Sequence, residues 1–225
     1  MLAVRRALAV GAHPDDVELA AGGLVATWAA AGVHMELAVL TSGQLGSPDP
    51  AIDPTGLGRV REAEARAAAR VLGAARVHFL GQMDGQLEAS VALRHRVARL
   101  VREVRPDVVV GHDPWRSWLL HPDHRAAGLL TVDGAVVARE ALLDLGGVPA
   151  HRPHTVLLWG TDAPDEVVDI GGVLDVKLAA LAAHASQLPD AEETARRVRS
   201  WAAAVGAPYG LSAAEAFHTL DLRGR

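Results

Sequence analysis

Two short clusters of imidazoles and carboxylates carry most of the chemistry open to this chain. The first is His13-Pro14-Asp15-Asp16, with Glu18 close behind; the second is His121-Pro122-Asp123-His124. In each, two potential ligands stand three residues apart, a spacing that puts both on one face at the start of a helix. Two such pairs can surround one cation. Imidazole nitrogens with a carboxylate oxygen and no thiol suit zinc, with Fe(II) or another divalent metal as the alternatives. Three protein ligands plus a water make a catalytic site rather than a closed structural one. With Asp15 and Asp16 adjacent, one carboxylate can ligate while the other stays free to take a proton from water. The bland reading, an acidic helix start favoured by the macrodipole, accounts for Asp15, Asp16 and Glu18 but not for the histidines.

Other chemistries lack their residues. A dinucleotide site needs Gly-x-Gly-x-x-Gly in the first turn, where this chain has Gly11-Ala12-His13-Pro14-Asp15-Asp16, and two acids there would repel a pyrophosphate. No phosphate-binding Gly-x-x-x-x-Gly-Lys-Ser/Thr loop and no Gly-x-Ser-x-Gly elbow is present. With 0 Cys, disulfides, thiolate metal sites and thiol catalysis are excluded together, which fits a reducing, cytoplasmic setting. The 22 Lys+Arg against 27 Asp+Glu give a net charge of −5 without a dense basic run, so no nucleic-acid partner is expected. Every long apolar stretch is cut by charge well before the roughly 18 residues of a membrane span, so no membrane insertion is expected.

The elements that must position these clusters follow from the hydrophobic pattern. Short apolar runs at 7–10, 37–40, 77–80 and 108–110 read as strands. Helical patterns at 19–31, 59–72, 91–104 and 123–143 separate and follow them. This β-α-β order predicts an α/β fold: a single-domain, Rossmann-like, mainly parallel sheet with helices on both faces, covering residues 1–225. Later strands are expected at 155–159, 167–170 and 216–220, and helices at 173–185 and 191–205. In such a sheet ligands bind beyond the carboxyl ends of the strands. Four loops, after the first four strands, should therefore meet on one rim. Residues 41–58 read as one long loop, and the segments 47–57 and 146–153 are expected to shape the mouth of the pocket.

Taken together, the motifs resemble those of the PIG-L/LmbE-like family of zinc-dependent N-acetylglucosaminyl deacetylases. His13-Pro-Asp-Asp16 with Glu18 and Gly22-Gly23 looks like its first signature, and His121-Pro-Asp-His124 like its second. Further matches are Thr41-x-Gly43-x-x-Gly46, Arg61-Glu62, Asp84-Gly85, Lys177 and His184-x-Ser186-Gln187. The resemblance implies metal ligands His13, Asp16 and His124, and Asp15 as general base. It implies His121 as general acid or oxyanion stabiliser, Asp123 as the residue orienting a histidine, and Arg61 and Asp84 as sugar contacts. The implied reaction removes the N-acetyl group of a GlcNAc-type conjugate by zinc-activated water, releasing acetate. Two alternatives accompany it: an amidase of a larger amide, such as a mycothiol-type thiol conjugate, and a non-catalytic metal-dependent sugar-binding protein. The unligated Asp15 argues against the latter, since binding needs no base. The partner is then a small-molecule amino sugar, and the apolar helices leave room for a homo-oligomer. Two positions depart from the pattern: Gln44 where relatives often have Glu, and Leu119 where some have Tyr.

The other polar residues have competing readings. His112 could line the site or make a structural hydrogen bond. Trp115 and Trp118 could form a sugar-stacking wall or pack within their loop. His184 could support the site or pack a helix. Arg94, Arg96, Arg99 and Arg102 read as a solvated helix face.

Overall fold

Leu8 and Val10 point to one side of the first strand and Ala7 and Ala9 to the other, so that strand needs apolar cover on both faces. The computed structural model, which describes residues 4–188 and 190–224, provides it. Strands β1 (Arg6–Gly11), β2 (His34–Thr41), β3 (Arg76–Gln82), β4 (Val108–His112) and β5 (Thr155–Trp159) pair in parallel in the order β3-β2-β1-β4-β5. The connecting helices are α1 (Asp16–Ala30), α2 (Pro54–Leu72), α3 (Val91–Val104) and α4 (Pro122–Val137). Leu93, Val97 and Val101 of α3 and Ala127 and Leu130 of α4 cover the Leu8 and Val10 face. Val17, Leu24, Ala68 and Leu72 of α1 and α2, joined by Ala180, cover the other.

The sheet is mainly parallel, as expected, and its last part is antiparallel. β6 (Glu166–Asp169) and β7 (Ala214–Asp221) are both antiparallel, and β7 lies between β5 and β6. Helices α5 (Leu174–Ala182) and α6 (Ala191–Gly206) fill the long connection between them. The long loop is shorter than the sequence suggests, because Pro54 starts α2 and Asp53 caps it by accepting from the amides of Thr55 and Gly56. α4 stops at Val137, so the segment 146–153 starts at the far end of that helix and leads into the beginning of β5. It therefore lies away from the rim and does not shape the pocket mouth. Arg102 is not on a solvated face either. It is buried, and its guanidinium donates to the carbonyls of Ala138, Glu140, Leu143 and Val148, tying down the chain after α4.

Helix α1, which begins at Asp16, is clamped from the C-terminal half of the chain. Lys177 Nζ donates to Leu19 O at 2.8 Å and to Glu215 Oε1 at 2.5 Å. The Glu215 carboxylate accepts from the amides of Gly23 and Leu24, each at 2.8 Å. Leu19 and Gly23 are an i, i+4 pair, so the ion pair addresses one helical turn from outside. A Cβ at residue 23 would lie 2.5 Å from Ile170, which is why this turn carries Gly. Both charges are buried, and removing one leaves the other uncompensated. Lys177→Met is expected to lower stability by about 3–5 kcal/mol in urea unfolding. The double variant Lys177→Met/Glu215→Gln should recover most of that loss, and a double variant no more stable than the single would contradict the pairing.

Candidate active site

Val10 of β1 pairs opposite Gly111 of β4, so the two strands end level at the point where strand order reverses. The first cluster follows β1, and the second follows β4 by a loop and the start of α4. Their ligand atoms meet. His13 Nδ1 lies 3.2 Å from His124 Nε2 and 3.6 Å from Asp16 Oδ2, and His124 Nε2 lies 3.3 Å from Asp16 Oδ1. Two imidazole nitrogens and a carboxylate oxygen within 4.8 Å of one another fit a divalent cation. His13, His121 and Asp123 form a second cluster within the same limit. There, however, the Asp123 carboxylate already accepts from the amides of Gly85 (2.8 Å) and Leu87 (3.3 Å).

Asp16 is held by one oxygen and open at the other. Its Oδ2 accepts from the amides of Ala12 (2.9 Å) and His13 (2.8 Å) and from His112 Nε2 at 3.1 Å. His112 is fixed in turn by Trp159, whose indole N–H, a donor only, reaches His112 Nδ1 at 3.0 Å. The imidazole proton must then sit on Nε2, facing Asp16. Oδ1 remains for a cation beside His124. The imidazoles of His112, His124 and His121 stack, with centroids 4.4 and 4.6 Å apart. His112 carried no spacing signal in the sequence; its position directly after a strand was the only clue.

His13 is steered from behind. Its Nε2 faces Asp84 Oδ1 at 3.0 Å and Asp123 Oδ2 at 3.3 Å, which leaves Nδ1 turned toward Asp16 and His124. Burial alone would depress the imidazole pKa, but Asp16 and Asp84 outweigh it and push His13 up to about 10. The surrounding carboxylates thus hold a positive charge where a cation would sit.

Asp15 has the geometry of a free base. Its backbone is left-handed, φ 105°, and its side chain makes no capping bond to α1. The carboxylate accepts from Arg61 Nη2 at 3.3 Å. Burial, then the charge of Asp16, push its pKa up to about 7 against the pull of Arg61. His121 is the N-cap of α4, and its Nδ1 accepts the Asp123 amide at 3.2 Å, so a neutral ring carries its proton on the exposed Nε2. Burial, then the neighbouring His13 and His124, hold its pKa below the usual value.

The other expected residues surround this centre or lie further out. Arg61 is buried and donates to Gly43 O (2.9 Å) and Pro14 O (2.8 Å) as well as to Asp15, so it positions the Asp15 carboxylate. Gly43, at φ +64°, and Gly46 are glycines because a Cβ at either would lie within 2.3 Å of its guanidinium. Asp84 braces His13 and accepts the Leu45 amide. Gln44 uses both amide atoms, accepting from Asp84 N and donating to Gln82 O, a pairing that a carboxylate could not make. His184, fully buried, faces Glu18 at 3.5 Å. Trp115 and Trp118 are exposed and line neither of the two cavities that Asp16 and His124 border. His13, Asp15, Arg61, Asp84, His121 and His124 border a cavity of about 380 Å3.

Comparison with known proteins identifies the family and the fold. The profile described as PIG-L, GlcNAc-PI de-N-acetylase, matches residues 8–135, more than half of the chain. The chain belongs to the PIG-L family. It is 31% identical over 193 residues to a diacetylchitobiose deacetylase of Thermococcus kodakarensis, covering 83% of this chain and 72% of that protein. A solved structure of N,N'-diacetylchitobiose deacetylase from Pyrococcus horikoshii superposes with a TM-score of 0.91 at 28% identity, over 97% of this chain and 84% of that one. The 4-carboxy-2-hydroxymuconate hydratase of Pseudomonas putida also superposes, with a TM-score of 0.82 at 26% identity over 98% of each chain. No helix among the described residues is long and apolar enough to cross a membrane.

Two outcomes follow from the geometry. His112→Phe keeps the ring but removes the donor to Asp16, and should weaken metal affinity by roughly 10–100-fold in chelator competition; unchanged affinity would show that Asp16 needs no such support. In the metal-free protein His13 stays protonated up to about pH 10, so metal must displace that proton. Calorimetry at pH 8 in buffers of different ionisation enthalpy should find close to one proton released per metal bound. An ordinary histidine would release almost none at that pH.

Proposed function

We propose that this protein is a metal-dependent N-deacetylase of a GlcNAc-type amino sugar, with zinc as the metal. The observation that carries the reading is an open set of two imidazoles and one carboxylate with a second, unligated carboxylate, Asp15, beside it. His13, Asp16 and His124 would hold the ion. When bound, such an ion polarises a carbonyl and lowers the pKa of a water. Asp15 accepts a proton from the attacking water, and Arg61 keeps its carboxylate in place. The exposed Nε2–H of His121 donates to the oxygen that becomes negative as the carbonyl turns tetrahedral. Protonated Asp15 then returns its proton to the nitrogen, because an amide anion does not leave. Water and the amide are consumed; acetate and a free amine are formed.

The hydratase likeness raises a second reading, in which the substrate is a polycarboxylate. The cavity disfavours it. Asp15 and Asp84 stand in its wall, and its one arginine, Arg61, is already engaged by Asp15 and two carbonyls. Such a wall repels an anion and accepts uncharged hydroxyls. Acetate release from GlcNAc, diacetylchitobiose, GlcNAc-inositol and a GlcNAc thiol conjugate, run beside turnover of a muconate-type acid, separates the two. Turnover of the acid alone would overturn the deacetylase.

Asp15→Gly tests the base. It should retain metal and lose about 10²–10⁴-fold in turnover. It should also raise the unfolding free energy by about 1 kcal/mol, because glycine adopts the left-handed backbone without strain. Full turnover, or a loss of metal, would remove Asp15 from that role.

A further inference from the structure

A second and larger cavity, of about 720 Å3, lies on the other side of Asp16 and His124. Its walls come from α1, α6 and the ends of β4, β5 and β7, and include Leu19, Ala20, Leu119, Val198, Trp201 and Val205. Two charged residues of its floor are already satisfied: Lys177 and Glu215 bond each other and the backbone of α1. Apolar side chains make up most of its wall, with Asp113, Arg116, Thr161 and Tyr209 among its polar members. Asp16 and His124 border both.

An amide has two arms. In the deacetylase reading, on which this inference rests, the sugar nitrogen lies in the polar cavity and the carbonyl carbon beside Asp16 and His124. The other group on that carbon is the acyl chain, and the apolar cavity opens at those same two residues. Its volume is that of an ordinary ligand site and far exceeds what an acetyl methyl fills. We propose that the cavity beneath α6 binds the acyl chain, and that the protein hydrolyses N-acyl amino sugars with medium-length alkyl chains in preference to acetyl. The balance is unchanged: water adds to the carbonyl, the C–N bond breaks, and a fatty carboxylate and an amine leave. An apolar aglycone is less suited to this place, because it is joined to the sugar ring rather than to the carbonyl carbon that sits between the cavities. Leu119, where a tyrosine stands in some relatives, adds to the apolar wall.

The test uses the zinc-loaded full chain and measures amine release from glucosamine carrying N-acetyl, N-butanoyl, N-hexanoyl or N-octanoyl groups. A parallel series keeps N-acetyl and lengthens an O-alkyl glycoside from methyl to octyl. We expect kcat/KM to rise by roughly three- to four-fold per methylene over the first few carbons of the acyl series, with little change in the glycoside series. Ala204→Trp, on α6 and remote from Asp15, should abolish the rise and leave N-acetyl turnover intact. Trp201→Ala, which removes wall without adding bulk, should flatten it. Turnover of N-acetyl with no gain for longer chains overturns this inference and leaves the deacetylase reading standing. So does a gain confined to the glycosides. An acyl-independent enzyme whose Ala204→Trp variant changes its sedimentation mass would assign the surface to a second copy of the chain instead. No amine from any substrate overturns both.

Discussion

The two oxygens of Asp16 are treated differently by the fold, and the candidate site depends on that difference. One is saturated by two amides of the turn after β1 and by His112; the other faces His124. The direction of this arrangement is set by Trp159 on β5. An indole can only donate, so it dictates which nitrogen of His112 is protonated, and His112 in turn dictates which Asp16 oxygen is free. Three parallel strands, β1, β4 and β5, are linked through side chains at their carboxyl ends.

Around that carboxylate the protein has gathered further acids with little countercharge of its own. Asp84 and Asp123 brace His13, while Arg61, one guanidinium, is divided between a carboxylate and two carbonyls. The imbalance explains both perturbed groups. His13 is driven toward its charged form by the acids, and Asp15 is driven toward its neutral form by burial and by Asp16. A bound divalent ion would relieve both at once. Several residues whose types suggest substrate contact, such as Arg61, Asp84 and Gln44, hold other site residues or loops in place.

Much of this was legible in the sequence, for a physical reason. Parallel strands covered on both faces have to be continuously apolar, and ligands for one ion have to be grouped at strand ends, so both leave marks in a linear pattern. His13, Asp15, Asp16, His121 and His124 stood out on that account. His112 did not, because a single imidazole whose partners lie on other strands has no periodicity. Arg102 reads differently in the sequence because a buried arginine satisfied by carbonyls looks there like any arginine on a helix. The antiparallel insertion of β7 between β5 and β6 was also hidden. Strand order depends on which edge is free once the parallel core has formed, and short apolar runs do not encode it. The segment 146–153 lies at the far end of the sheet because the helix before it carries the chain away from the rim, a direction that its apolar pattern does not reveal.

The clamp on α1 has a consequence for how the protein comes into being. All the candidate ligands, and Asp15, lie at or before residue 124, whereas Lys177 and Glu215 lie well beyond them. A ribosome therefore delivers the whole candidate set long before the ion pair that steadies the helix carrying Asp16. The nascent chain can present these side chains, but the ion pair that clamps α1 can form only when β7 has emerged and inserted between its neighbours. Steadying of that helix is thereby tied to a stretch translated well after the residues it holds.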